Sequence, residues 1–284
     1  MIVDSHCHIF TERIVSNTTQ KAAMLSELKL NTRGAVERLR PELLQESLER
    51  NRIEKCLLLP TATPEKVVSE NDKFIKITSK FSRLFTLATL HPIMPGLANE
   101  IHRMFDSGIT EFKFSSFSQR FDLLSPESGA MLTAISRIGN SRNIRPTVVF
   151  DTFMRADMYY GAKFEHLATP SKLSLIARRY QEINFVCAHM GGLLGDFDEI
   201  RDVLRPRDNL YLDTSNAAHT LSELQFVELL KIHGASHVLF GTDWPWFLHE
   251  EELANIGSLM TKAGFSPVEQ AKVLGENASE LFGL

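Results

Sequence analysis

Short apolar runs alternate along the chain with longer segments whose apolar residues recur at helical spacing. Runs rich in β-branched and aromatic residues indicate strands, and apolar residues at i, i+3, i+4 and i+7 indicate amphipathic helices. The predicted strands are Ile2–Ile9, Lys55–Thr61, Leu84–Leu90, Thr110–Ser115, Thr147–Thr152, Asn184–His189, Leu210–Thr214 and His237–Asp243. The predicted helices are Pro41–Asn51, Asn71–Phe81, Leu97–Ser107, Ser125–Ser141, Ser171–Gln181, Phe197–Leu204, Ser222–His233 and Glu250–Ala263. Eight strands alternating with eight helices predict an α/β fold with a closed (β/α)8 (TIM) barrel.

The segments outside this alternation lie near the two ends of the chain. Thr11–Arg40 is long and weakly periodic, which is typical of a functional or substrate-covering loop. Pro267–Leu284 reads as a turn into a last helix, for which Ser266 provides an N-terminal cap.

Size and charge restrict the class of protein. The 284 residues, of which 43% are hydrophobic, are close to the ~250 residues typical of an α/β barrel, so residues 1–284 are predicted to form one domain. The net charge of −4 leaves no broad cationic field, and nucleic acid is therefore not expected as a partner. We expect a small-molecule substrate, with self-association into a homo-oligomer left open.

The cysteines and the N-terminal residues indicate the cellular compartment of the protein. The three cysteines Cys7, Cys56 and Cys187 are an odd number, and the last two lie in apolar runs, where a thiol usually behaves as a small buried hydrophobe. The N-terminal residues show no basic segment followed by an apolar stretch, so they do not resemble a secretion signal. No apolar run approaches the roughly 18 residues that cross a bilayer. These features predict a cytoplasmic protein without a membrane segment.

Polar residues at the carboxyl ends of different strands can share a site, because these ends converge on one mouth of a barrel. His6 and His8 are two residues apart in the first predicted strand and therefore point to the same side. The eighth strand ends in Asp243, a carboxylate that is costly to bury unpaired. Imidazole and carboxylate ligands suit a catalytic divalent ion, with zinc as the first choice. We therefore predict a metal centre on His6, His8 and Asp243.

Three further strand ends offer polar candidates. His189 ends the sixth strand and precedes Met190 and two glycines, which let the backbone approach a ligand. Lys113 alternates with phenylalanines in the fourth strand and should face the interior, where it needs a carboxylate or an anionic substrate. Asp151 ends the fifth strand and is a candidate metal ligand, a partner of a ligand, or the counter-ion of Lys113.

Three residues in loops complete the predicted substrate site. Arg120 and Arg155 follow the fourth and fifth strands, where a guanidinium can bind a substrate carboxylate. Trp244 directly follows Asp243 and is predicted to wall the pocket, with ordinary core packing as the competing interpretation.

Three ordered motifs resemble those of the amidohydrolase superfamily, in its amidohydrolase-related branch of metal-dependent barrel hydrolases, lactonases and aromatic-acid decarboxylases. Val3-Asp4-Ser5-His6-Cys7-His8 resembles the metal motif of the first strand. Ala188-His189-Met190-Gly191-Gly192 is similar to the motif of the sixth strand, and Gly241-Thr242-Asp243-Trp244-Pro245 to that of the eighth. The family's fifth strand commonly ends in a histidine, whereas this chain has Asp151; an oxygen ligand there would better tolerate manganese or magnesium.

The resemblance implies hydrolysis of an amide, ester or lactone in a small, carboxylate-bearing molecule. Asp243 is then expected to accept and return a proton, and His189 to polarise the carbonyl or stabilise the oxyanion. The alternative within the family is non-oxidative decarboxylation of an aromatic or related acid on the same metal. A two-metal site bridged by a carbamylated Lys113 and a DNA-hydrolysing relative are less favoured alternatives. A non-catalytic metabolite-binding or metal-binding barrel is the alternative of another class.

Overall fold

The computed structural model describes all residues from 1 to 284. Nine strands alternate with helices along the chain. The strands are β1 Val3–Cys7, β2 Lys55–Leu58, β3 Leu84–Thr86, β4 Ala88–Thr89, β5 Glu111–Phe114, β6 Thr147–Phe150, β7 Asn184–Cys187, β8 Leu210–Asp213 and β9 Val238–Leu239.

Fifteen α-helices connect and follow these strands. They are α1 Glu12–Thr19, α2 Ala22–Leu28, α3 Pro41–Arg50, α4 Val67–Thr78, α5 Leu97–Asp106, α6 Ser116–Gln119, α7 Pro126–Ser141, α8 Ala156–Tyr160, α9 Pro170–Arg179, α10 Phe197–Val203, α11 Ala217–Thr220, α12 Glu223–His233, α13 His249–Ala263, α14 Pro267–Ala271 and α15 Asn277–Phe282. A π-helical turn, Lys272–Glu276, joins α14 to α15. None of these helices combines the length and the apolar character that crossing a membrane requires.

Each predicted strand contains an observed one, although the predicted run Leu84–Leu90 is divided into β3 and β4. Each predicted helix is also present, and α4 begins at Val67, one turn before the predicted start, where Val67 is fully buried. Ser266 caps α14 as predicted, in a reciprocal capping box with Glu269.

The prediction that Thr11–Arg40 is a loop is wrong in its secondary structure, and a substrate-covering role stays a prediction. The segment contains α1, α2 and a 3-10 turn at Glu37–Leu39. Its buried residues Val15, Ala35 and Leu39 pack in one cluster with Trp246 and Phe247. Tertiary packing stabilises these short helices, which are too short to be stable alone in water.

The residues of the chain form two compact units, each with many contacts among its own residues. Unit 1 comprises Met1–Leu58, Ile77–Phe85 and Leu212–Leu284, and unit 2 comprises Leu59–Lys76 and Thr86–Tyr211.

Within unit 1, the first and last strands of the chain are neighbours. β1 pairs in parallel with β2, and the final two residues of β8 pair in parallel with β9. The Ser5 amide donates to the Phe240 carbonyl at 2.9 Å, and Cys7 forms a parallel bridge with Trp244. Because these strands are parallel, their carboxyl ends lie along one edge.

Within unit 2, β4, β5, β6 and β7 pair in parallel in chain order. Phe112 and Phe114 of β5 are fully buried, and Phe112 lies 6.2 Å, between ring centroids, from Phe105 of α5. The phenylalanine face of this strand thus packs against a helix, and the alternate face carries Lys113, as predicted.

Candidate metal centre

His6, His8 and Asp243 converge at the shared strand edge of unit 1. The Nε2 atoms of His6 and His8 lie 3.1 Å apart. Asp243 Oδ1 lies 3.5 Å from His8 Nε2 and 3.9 Å from His6 Nε2. All three residues are buried. Strand alternation places the imidazoles on one side, and the adjacency of β1 and β9 supplies the carboxylate.

This geometry fits a single divalent ion. Metal–nitrogen bonds of about 2.0–2.1 Å at angles between 90° and 109° separate two ligand nitrogens by roughly 2.8–3.4 Å, which includes the distance between the two Nε2 atoms. Asp243 Oδ1, at 3.5 Å from His8 Nε2 and 3.9 Å from His6 Nε2, lies slightly beyond this range, and a small rotation of its side chain would bring it within the range. Two imidazoles and a carboxylate, with a position left for water, form the donor set of a catalytic zinc site.

Asp213, at the end of β8, orients His6. Its Oδ2 lies 2.8 Å from His6 Nδ1, and its Oδ1 accepts from the backbone amide and the hydroxyl of Ser215. The Ser215 hydroxyl also lies 3.1 Å from His6 Nδ1. A buried carboxylate on the far nitrogen of a ligating histidine fixes the ring and directs its other nitrogen to the metal.

The sequence prediction names no site residue from β8 and therefore misses Asp213. The signal that could have found it is the one that found Asp243: a carboxylate ending an apolar run, here after Leu210-Tyr211-Leu212. Asp213 is fully buried, so its charge needs the partners that His6 and Ser215 provide.

The backbone at Asp243 is in the left-handed region, with φ of 62°. Non-glycine residues adopt this conformation at a cost, and such residues are concentrated at functional sites. The Asp243 amide donates to the His6 carbonyl at 2.9 Å, and the His8 amide donates to the Trp244 carbonyl at 2.7 Å. These two bonds attach the Asp243 segment directly to His6 of β1 and to His8, which follows the strand.

Asp4 of β1 is a further buried carboxylate, and it accepts hydrogen bonds from the backbone amides of His6 and Thr242. Burial by itself would raise the pKa of Asp4, but contacts with His249, Thr242 and Cys7 hold that pKa below its usual value. Burial and the adjoining Cys56 and Asp4 raise the pKa of the Cys7 thiol well above its usual value. Cys7 therefore stays a neutral thiol near neutral pH.

Unit 2 brings together Lys113, Asp151 and His189, as the order of β5, β6 and β7 requires. Lys113 is fully buried, its ammonium makes no hydrogen bond within the protein, and Asp151 Oδ2 lies 4.0 Å away. His189 Nε2 lies 3.6 Å from Asp151 Oδ1. His189 also has a positive φ, of 56°. These three residues place an ammonium, a carboxylate and an imidazole close together. Of the three groups, the ammonium and the imidazole can donate hydrogen bonds to an anionic group.

The other predicted substrate residues have different surroundings. Arg120 and Arg155 are exposed. Trp244 is buried, its indole N–H donates to the Arg38 carbonyl at 3.0 Å, and its ring stacks on His249 with centroids 5.0 Å apart. A contact of any of the three with substrate stays a prediction.

Known structures show the fold. An uncharacterized TIM-barrel protein from Bordetella bronchiseptica has a TM-score of 0.73 at 16% identity, covering 99% of this chain and 98% of that chain. A dihydroxybenzoic acid decarboxylase from Polaromonas sp. JS666, with bound manganese and 2-nitroresorcinol, has a TM-score of 0.71 at 17% identity, covering 100% and 97%. A probable 2-pyrone-4,6-dicarboxylic acid hydrolase from Acinetobacter baumannii has a TM-score of 0.64 at 15% identity, covering 100% and 99%. These likenesses confirm the predicted (β/α)8 barrel fold.

The sequence itself carries the family assignment. No curated protein matches it. A family model described as amidohydrolase matches residues 3–284, nearly the whole chain, and this range includes all three strand-end motifs. The chain belongs to the amidohydrolase family.

Proposed function

We propose that this chain is a metal-dependent hydrolase that cleaves an amide, ester or lactone bond in a small molecule bearing a carboxylate. The observation that carries the proposal is the convergence of His6, His8 and Asp243 to within 3.9 Å of one another. The orientation of His6 by Asp213 supports it, because that arrangement is typical of metal-ligating histidines.

His6 and His8 would hold the ion through their Nε2 atoms, and Asp243 through its carboxylate. A divalent ion held there would supply Lewis acidity and lower the pKa of water toward about 7. Asp243 would accept the proton of the attacking water and return it to the leaving group. Asp213 would keep the His6 ring in one tautomer, with its Nδ1 proton directed to the carboxylate.

Zinc is our first choice of metal because it binds both imidazole nitrogen and carboxylate oxygen in catalytic sites. Manganese, which a structurally similar decarboxylase binds, is the second. An additional oxygen ligand would favour manganese or magnesium, and Asp151 stays our predicted source of it. His189 stays the predicted group that polarises the carbonyl.

Lys113 is proposed to bind the substrate carboxylate. Its fully buried ammonium lies 4.0 Å from Asp151 Oδ2 but makes no hydrogen bond within the protein, so a substrate carboxylate would supply the hydrogen bond that a buried charge requires. Lys113→Met is expected to raise KM for a carboxylate-bearing substrate at least about 10-fold, the loss of a charge-assisted hydrogen bond. KM for the matching neutral methyl ester should change little. Steady-state kinetics on both substrates checks this, with the exposed Lys163→Met as control; an equal effect on both substrates would contradict the role.

Non-oxidative decarboxylation is the second candidate, because structurally similar proteins include decarboxylases of 5-carboxyvanillate and dihydroxybenzoate. The two reactions differ in their products. Metal-loaded protein is incubated in H₂¹⁸O with a panel of lactones, esters and amides, and separately with hydroxybenzoates. Solvent ¹⁸O in the acid product without carbon dioxide supports hydrolysis. Carbon dioxide released in proportion to substrate loss favours the decarboxylase, and bound metal without turnover favours a binding protein.

A further inference from the structure

Unit 1 contains a second polar cluster, some of whose members are close in sequence to the predicted metal ligands. It consists of Asp4, Cys7, Ser47, Thr242 and His249, and all five side chains are buried. Asp4 and Cys7 flank His6 in β1, and Thr242 precedes Asp243. Three members of the cluster are therefore close in sequence to predicted ligands, although none of the five side chains belongs to the predicted ligand set.

One oxygen of Asp4 joins the two segments that carry the ligands. Asp4 Oδ1 accepts from the His6 amide at 3.0 Å and from the Thr242 amide at 3.1 Å. A single carboxylate oxygen thus fixes the backbone at one ligand and at the residue before another. Hydrogen bonds to an ionised acceptor are roughly twice as strong as neutral ones, so this attachment restricts how far His6 and Asp243 can separate.

The other oxygen of Asp4 is surrounded by three polar groups. Thr242 Oγ1 donates to Oδ2 at 2.5 Å, and the Cys7 thiol donates at 3.0 Å. His249 Nε2 lies 3.1 Å from the same atom. A buried carboxylate with this many partners has one preferred orientation.

His249 is itself held in place from two sides. Its Nδ1 lies 2.8 Å from the Ser47 hydroxyl of α3, and its ring stacks on Trp244. Nε2 lies against the Asp4 carboxylate without hydrogen-bond geometry. A proton on Nε2 is the arrangement that this carboxylate favours, and Nδ1 then accepts from Ser47. His249 thereby connects α3 and the start of α13 to Asp4.

We propose that Asp4 and His249 are positioning residues that set the spacing of His6 and Asp243 and thereby the affinity of the metal centre. Neither side chain touches the ion or the substrate. The inference rests on the proposed metal centre. Asp4, Cys7 and His249 also lie close enough together to hold an ion of their own. We assign them to positioning because both Asp4 oxygens already accept from protein donors, and the test separates the two roles.

The test measures metal binding as well as activity. Apo-protein is titrated with Mn²⁺ or Zn²⁺ by calorimetry, and Mn²⁺ is followed by electron paramagnetic resonance. Asp4→Asn, which removes the charge and keeps the shape, is expected to raise the metal Kd by about 10–100-fold, the usual effect of losing a partner of a ligand. The stoichiometry should stay at one ion per chain. His249→Phe should show the same loss, and His249→Gln, whose amide nitrogen replaces Nε2, should recover part of it.

A matched control is available in the same unit. Glu252 is fully buried and lies 2.6 Å from His219 Nε2, so it is also a buried carboxylate paired with an imidazole. Glu252→Gln should leave the metal Kd within about twofold of wild type, because Glu252 has no bond to the backbone of a ligand. If Asp4→Asn fails to fold, the metal Kd values of His249→Phe and His249→Gln are compared with that of wild type instead.

The failures are distinguishable. A wild-type protein that binds no divalent ion overturns both the proposed function and this inference. A wild type that binds one ion, with Asp4→Asn and His249→Phe binding it equally tightly, overturns the positioning role alone. Two ions per chain in the wild type, one of which is lost in Cys7→Ser, show that the cluster is a second metal site and also overturn that role.

Discussion

Asp243→Asn is expected to lower kcat/KM by about 10²–10⁴-fold, which is the range that general acid–base catalysis contributes. The amide keeps the volume of the side chain but cannot take the proton of water, and it is a poorer ligand than the carboxylate. Since the backbone bond from Asp243 to His6 is unaffected, the fold should be retained. The measurement is kcat/KM on the best substrate from the hydrolysis screen, with far-UV circular dichroism to verify folding.

Asp208→Asn provides the control for this substitution, because Asp208 is exposed and lies outside the site. It should leave kcat/KM unchanged. A normal kcat/KM in metal-loaded Asp243→Asn would remove Asp243 from the proton-transfer role.

Removal of the metal by a chelator is expected to abolish turnover, and added Zn²⁺ or Mn²⁺ should restore it. Apo-protein should also unfold at a lower temperature, since a ligand present at 1,000 times its Kd stabilises the native state by about 4 kcal/mol. His6→Ala should lose activity that no metal restores, because two remaining ligands bind an ion weakly. The same variant should show no rise in Tm with metal. Full activity in chelator-treated protein that contains no metal would contradict the metal-dependent mechanism.

The fold and the convergence of His6, His8 and Asp243 could be predicted because each depends on a local pattern. Period-2 alternation places His6 and His8 on one side, and an apolar strand that ends in Asp243 requires a partner for its carboxylate. Barrel closure then brings the two strands together, as the bond between Ser5 and Phe240 confirms.

The partners of these three residues could not be assigned in the same way, because their roles depend on contacts between distant parts of the chain. Asp213 contacts His6 from 207 positions away, and nothing in Leu210–Thr214 identifies which strand-end acid orients a histidine. His249 lies in the first turn of α13, where a sequence pattern suggests only a helix start. The helices within Thr11–Arg40 were missed for a related reason, since packing against Trp246 and Phe247 stabilises them.

The most direct test of the central claim is anomalous X-ray diffraction from crystals of the protein loaded with zinc or manganese. The account predicts one anomalous peak in unit 1, within about 2.0–2.2 Å of His6 Nε2, His8 Nε2 and a carboxylate oxygen of Asp243. A peak bounded by other residues, such as Asp4, Cys7 and His249, or no peak at the paired imidazoles, would contradict it.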